Sequence, residues 1–166
     1  AEVAVAIIGA GPVGMALALA LTTHGMRVLL IDRCARGAWA NDPRALALSH
    51  GTRQILERLR AWNGMDATPI ATIHVSQRGG FGHTRITAGD YDLPALGYVT
   101  RYRTLAAALD ARLAGECFCS NCTVTTIAPT ASAALLTLDG EQQGRQIAAQ
   151  LVVHAEGAAA DTGRVW

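Results

Sequence analysis

The chain has 166 residues, 51% of them hydrophobic, enough to build one domain with a substantial core. Fourteen basic against thirteen acidic residues leave a net charge of +1, so there is no long-range basic field and nucleic acid is not an expected partner. Every basic residue other than the histidines is arginine, and the absence of lysine excludes a Schiff-base lysine, a Walker A phosphate loop and a Tyr-x-x-x-Lys dehydrogenase pair.

In chain order, Val3 to Ile8 is a continuous apolar run and is expected to form a buried parallel strand. It leads into Gly9, Gly11 and Gly14, and then a helix beginning near Pro12, which suits a first turn, and stopping near His24 before Gly25. In such a turn the first glycine permits the tight bend. The second lets the main chain approach a pyrophosphate, and the third lets helix and strand pack closely. The helix N-terminus then presents free N–H groups and a favourable dipole to the anion. The apolar stretch Val13 to Leu21 is too short to span a bilayer and reads as helix buried against a sheet. A second strand, Arg27 to Ile31, ends in Asp32, at the spacing of a carboxylate that accepts hydrogen bonds from a ribose hydroxyl.

Beyond Asp32, residues 33–43 read as a polar loop. Ser49 is placed to cap a helix from about Gly51 to Trp62 that buries Ile55, Leu56 and Leu59. Between Ala71 and Ala88 the pattern changes to period two around Gly79, Gly80, Phe81 and Gly82, predicting a β-hairpin and an excursion toward a second, sheet-based layer. Tyr98 to Thr104 leads into a helix with Leu105, Leu109 and Leu113 on its core face. Three strands follow, Cys122 to Ile127, Ala133 to Leu138 and Gln146 to Val153, read as a meander that returns to the parallel sheet. The cysteines Cys34, Cys117, Cys119 and Cys122 lack the paired spacing of a zinc site and are expected to pack as small hydrophobes. His50, His74 and His83 pair with no carboxylate or nucleophile in the sequence and are read as polar surface residues.

Three segments, IIGAGPVGMALALAL, NDPRALALSHGTRQILERL and IHVSQRGGFGHTRITAGDYDLPALGYV followed by RTLAAALDARL, carry a resemblance to the N-terminal part of the flavin-dependent aromatic monooxygenases. More narrowly, the chain resembles the ubiquinone-biosynthesis hydroxylases that act on polyprenylated phenols. The resemblance implies an α/β fold: a Rossmann-like FAD-binding domain with a β-meander and a small β-hairpin inserted from the substrate layer. Residues 1–166 would form one such domain, incomplete, with residues 69–98 as its excursion toward a substrate domain. It further implies that Gly9, Gly11 and Gly14 hold the FAD pyrophosphate and that Asp32 binds the adenosine ribose, with Arg33 beside it. Arg44 would reach the flavin side of FAD, and Arg103 would open a helix whose start approaches the cofactor. NAD(P)H would be the electron donor and a phenol the substrate. A lipophilic substrate would bring a cytoplasmic protein into contact with the membrane surface.

The chain departs from the family pattern where an Asp-Gly motif is usual. Here the sequence is VVHAEG, so Glu156 stands for the aspartate, followed by Gly157, and Ala160 stands near where a small hydroxyl residue is usual. Glutamate is one methylene longer, which alters local hydrogen bonding. The chain also ends at Trp166, ahead of the family's second flavin-binding motif, so the expectation is a FAD-binding portion without turnover of its own. The competing reading is a noncatalytic dinucleotide-binding module.

Overall fold

Val5 to Ile8 are buried because strands lie on both sides of them, and the chain supplies those neighbours from distant segments. The computed structural model describes residues 2–76, 79 and 82–157. In chain order its regular elements begin with β1 (Glu2–Ile8), α1 (Pro12–Thr23), β2 (Val28–Ile31), β3 (Ala45–Ser49) and α2 (His50–Arg58). Then come β4 (Ala67–Ile70), β5 (Thr72–Ser76), β6 (His83–Thr87), β7 (Gly97–Arg101) and α3 (Tyr102–Asp110). The chain continues with β8 (Phe118–Cys119), β9 (Cys122–Pro129), β10 (Ala134–Gly140) and β11 (Gln146–His154). Two compact units divide it, one made of the residues up to Asn41 with those from Leu109 on, the other of Asp42–Ala108.

The first unit is a six-stranded sheet in the order β8-β2-β1-β11-β10-β9. β8, β2, β1 and β11 run parallel, and β10 and β9 extend the sheet antiparallel, so the expected meander and its return to the parallel sheet are both present. Ile8 is flanked by Ile31 of β2 and by His154 of β11. Ala6, Ile31, Leu136, Leu138, Ile147 and Ala149 build its core together with Cys119 and Cys122. α1 buries Gly14, Met15, Ala18 and Leu19, pairs four residues apart on one face, while Val13 on the other side is 74% exposed. Its end matches the sequence reading, with His24 as C-cap and Gly25 in the left-handed region at φ +76°.

The second unit contains two small antiparallel sheets, β3-β7-β4 and β5-β6. The predicted hairpin is there as β5 paired with β6, in register from Thr72↔Thr87 to Ser76↔His83; of its glycine-rich centre, Gly80 and Phe81 lie outside the described residues. β3 and β4 were not expected from the sequence. β3 is ALALS, without a β-branched residue, yet it pairs along its whole length with β7 (GYVTR), so the partner overrides local propensity. β4 carries Pro69, which an edge strand tolerates.

α2 is capped as predicted, the Ser49 hydroxyl accepting the Thr52 N–H at 3.1 Å, but it ends at Arg58, short of Trp62. The cause is a Schellman closure in which the Ala61 N–H bonds the Leu56 carbonyl (2.8 Å) and the Arg60 N–H bonds that of Glu57 (2.9 Å). Arg60 takes the left-handed position, φ +58°, that glycine usually fills. Only Leu56 of the predicted apolar face is fully buried, and Ile55 is 54% exposed. Replacing Arg60 with glycine removes left-handed strain at an exposed residue, and we expect Arg60→Gly to be neutral or to raise stability by up to about 1 kcal/mol in a denaturant titration.

Of the cysteines, Cys119 and Cys122 do pack as small hydrophobes, their sulfurs 3.1 Å apart. Cys34 is exposed and Cys117 half-buried, contrary to that expectation, because both lie in connecting segments beside the sheet edge. Burial, with the neighbouring Cys122, pushes the Cys119 thiol from 9.0 up to about 12. Its neutral form is therefore favoured by folding, and it contributes stability that is lost as pH rises from about 9 toward 12. In a thiol-labelling time course at pH 8, Cys34 is expected to react fast and Cys119 only as fast as the protein unfolds; rapid labelling of both would contradict this placement.

Candidate functional site

The glycine turn between β1 and α1 is forced into shape by its neighbours. Gly9 lies at φ +107°, and a Cβ on it would stand 2.5 Å from the Ala155 carbonyl oxygen and 2.9 Å from the Glu156 nitrogen. A Cβ on Gly14 would overlap the Gly9 carbonyl oxygen, which is why α1 starts this close to the strand. Gly11 is the N-cap, with extended backbone, no side chain over the helix end and its carbonyl accepting the Met15 N–H at 2.9 Å. Pro12 occupies the first helical position, where a missing N–H costs nothing. The bare amides of the first turn are thus left to face an anion.

Asp32 follows β2 and holds this turn from the side. Its Oδ2 accepts the Ala10 N–H at 2.6 Å and its Oδ1 accepts the Cys34 N–H at 2.8 Å. The peptide of Asp32 is itself fixed, its N–H donating to the Cys119 carbonyl (3.0 Å) and its carbonyl accepting from the Cys122 N–H (2.9 Å). Each carboxylate oxygen retains lone-pair capacity for a hydroxyl donor. On the opposite flank the Ala155 N–H donates to the Ile8 carbonyl at 2.7 Å, which sets Glu156 and Gly157 (φ +67°) beside the turn. Glu156 Oε2 lies 2.9 Å from His154 Nδ1. Gly9, Gly11, Gly14, Asp32, Glu156 and Gly157 are therefore gathered at one end of the parallel strands, the end where ligands bind in open α/β sheets. Arg33 is exposed next to Asp32.

Arg44 and Arg103 belong to the second unit. Arg44 is engaged by Asp42, Nη2 to Oδ2 at 2.6 Å and Nε to Oδ1 at 2.9 Å, and its guanidinium sits 4.4 Å from the centre of the Tyr102 ring. Hydrogen bonding to Arg44 holds the Asp42 carboxyl below its usual range. Arg103 is exposed in the first turn of α3, and the preceding Tyr102 N–H bonds the Arg44 carbonyl at 2.8 Å, so the two arginines spring from adjoining backbone. The histidines differ in part from the sequence reading. His74 and His83 are exposed but stack edge to face at 5.3 Å, whereas His50 is half-buried, with a buried Nδ1 that has no hydrogen-bond partner among the described residues.

Sequence reasoning missed four participants. Ala10 contributes only a backbone amide, Cys119 and Cys122 act through their peptides, and His154 needs β11 to be placed before its pairing with Glu156 is visible. The spacing His-x-Glu at a strand end was the available signal for the last. Among the described residues no cluster of three or more His, Cys, Asp or Glu could hold a metal ion.

A parallel sheet whose first strand ends in a glycine turn at a helix N-terminus, with an acid after the second strand, defines a dinucleotide-binding domain. The chain belongs to the FAD binding domain family, whose profile matches residues 2–164. It is 31% identical to the 3-demethoxyubiquinol 3-hydroxylase of Escherichia coli K12 over 93% of this chain and 41% of that protein. It is 36% identical to the ubiquinone hydroxylase UbiM of Neisseria meningitidis over 39% of this chain and 14% of that protein. The chain thus spans about two-fifths, or less, of the curated relatives it matches. Among solved structures it superposes on the flavin-dependent monooxygenase PieE, in complex with FAD and substrate, with a TM-score of 0.76. That match, at 22% identity over 96% of this chain and 31% of PieE, shows the shared fold. The Rossmann-like α/β architecture and FAD as the cofactor, both implied by the sequence resemblance, accordingly hold. No helix among the described residues is long and apolar enough to cross a membrane.

Proposed function

We propose that this chain is the FAD-holding domain of a flavin-dependent monooxygenase that hydroxylates a polyprenylated phenol in ubiquinone biosynthesis, with NAD(P)H and O2 as co-substrates. The observation that carries the reading is the glycine turn braced on one flank by Asp32 and on the other by the Ala155–Glu156 peptide. That cradle fits the cofactor: it is closed to any Cβ at Gly9 and Gly14, yet its helix N-terminus is bare.

In this reading Gly9, Gly11 and Gly14 seat the pyrophosphate on main-chain amides, and Asp32 accepts a ribose hydroxyl while keeping its bond to Ala10. Arg33 adds positive charge beside the ribose. Arg44 and Arg103 present planar donor sets suited to phosphate and carbonyl acceptors, and Glu156 with Gly157 closes the far flank. Bound there, FAD supplies the redox chemistry, taking reducing equivalents from NAD(P)H and activating O2 toward an electron-rich ring. The chain's own residues bind and orient; the reading calls for no nucleophile or triad, and none was evident in the sequence. Residues 69–98 are the excursion toward a substrate-binding sheet, and the lipophilic substrate would bring a cytoplasmic protein to the membrane surface.

The test is the absorbance spectrum of the purified chain with added FAD, followed by NAD(P)H oxidation with and without a prenylated phenol. Bound flavin and phenol-stimulated oxidation support the full reading. Bound flavin without turnover favours a FAD-binding portion or a noncatalytic module over a complete enzyme, and a chain that takes up no FAD overturns the cofactor assignment.

A further inference from the structure

The His154–Glu156 pair stands at the seam between β11 and the glycine turn. Glu156 has a longer side chain than an aspartate at the same backbone position, with one more rotatable bond to fix when it meets a ligand, and fixing such a side chain has an entropic cost. His154 Nδ1 reaches Oε2 at 2.9 Å, while Oε1 has no hydrogen-bond partner among the described residues. The side chains are 44% and 35% exposed, so neither is locked by packing; the contact between them is what restricts the carboxylate. The backbone on either side is paired, His154 in register with Ile8 and the Ala155 N–H donating to the Ile8 carbonyl at 2.7 Å.

We propose that His154 is a positioning residue: through Nδ1 it fixes the Glu156 carboxylate beside the glycine turn so that Oε1 can accept a hydroxyl of the bound FAD. This rests on the FAD-site reading above. His154 itself does not touch the cofactor in this account. Its effect passes entirely through Glu156, which gives the inference a signature that a merely structural residue lacks.

The experiment is a double-mutant cycle on the full chain, with FAD affinity read by flavin fluorescence and folding by thermal melt. His154→Ala is expected to weaken FAD binding about five- to tenfold, with little change in melting temperature because the pair is half-exposed. His154→Asn, which keeps a short side chain with an N–H donor, is expected to recover most of that loss. In a Glu156→Ala background, His154→Ala should produce little further loss, since the partner through which it acts has gone. Equal losses from His154→Ala in both backgrounds, or no loss in the native one, would overturn the inference while leaving FAD binding intact. A native chain that binds no FAD would overturn the site reading and this inference with it.

Discussion

Gly9→Ala is expected to lower stability by about 3 kcal/mol and to weaken FAD binding by about a hundredfold, because it adds a left-handed backbone penalty to a steric clash. The methyl group would stand 2.5 Å from the Ala155 carbonyl oxygen and 2.7 Å from its carbon, and both are main-chain atoms of a paired strand end. They cannot rotate aside. Relief requires moving the turn away from β11, which carries with it the amides at the start of α1 and breaks the 2.7 Å bond between Ala155 and Ile8. Gly25 provides the control. It too has positive φ, +76°, but a Cβ there meets nothing within 4 Å, so Gly25→Ala should show only the backbone penalty of about 1 kcal/mol and leave FAD affinity unchanged. Chemical denaturation and flavin fluorescence on both variants check the pair. Equal effects at the two positions would mean that the contact with the Ala155–Glu156 peptide is not what shapes the turn.

Asp32→Ala is the second large effect. It removes the acceptor for the Ala10 and Cys34 amides together, and hydrogen bonds to a charged acceptor are each worth about 1.5–3 kcal/mol at best. Because Asp32 is half-exposed, water replaces part of that, and we expect a net loss of about 2 kcal/mol of stability. The effect on FAD should be larger than stability alone implies, about two orders of magnitude in Kd, since a turn acceptor and a ribose acceptor vanish at once. Asp32→Asn separates the two. Its amide retains one acceptor oxygen, so it can keep the Ala10 bond while losing the charge, and should fall between native and alanine in both assays. A variant that binds FAD normally while losing stability would leave Asp32 as a brace only.

Much of this arrangement was legible in the sequence because it is written in local patterns. The apolar run before Gly9, the spacing of Gly9, Gly11 and Gly14, and Asp32 closing the second strand each follow from what one βαβ unit requires. The leucines of α3 and the three strands of the meander are equally local. The failures have two causes: a partner far away in sequence, or a local geometry that no residue type announces. β3 is a strand only because β7 lies beside it, and ALALS alone reads as helix-forming. α2 stops at Arg58 because the Arg60 and Ala61 N–H groups donate back to the Glu57 and Leu56 carbonyls, a local closure that no glycine announces. Asp32 was legible as the acid that closes the second strand, but its bond to Ala10 joins residues that only the packed sheet brings together. The charge network around Arg44, with Asp42 two residues away and Tyr102 beneath it, was half visible at most.

The central claim is that the braced glycine turn is a seat for FAD. The most direct measurement is a titration of the purified chain with FAD, following flavin fluorescence and the visible spectrum, alongside Gly9→Ala under the same conditions. Saturable binding with a Kd of about micromolar or tighter is expected, weakened about a hundredfold in the variant while its circular dichroism stays that of a folded α/β protein. No saturation by a folded native chain, or equal affinity in the native and Gly9→Ala proteins, would contradict it.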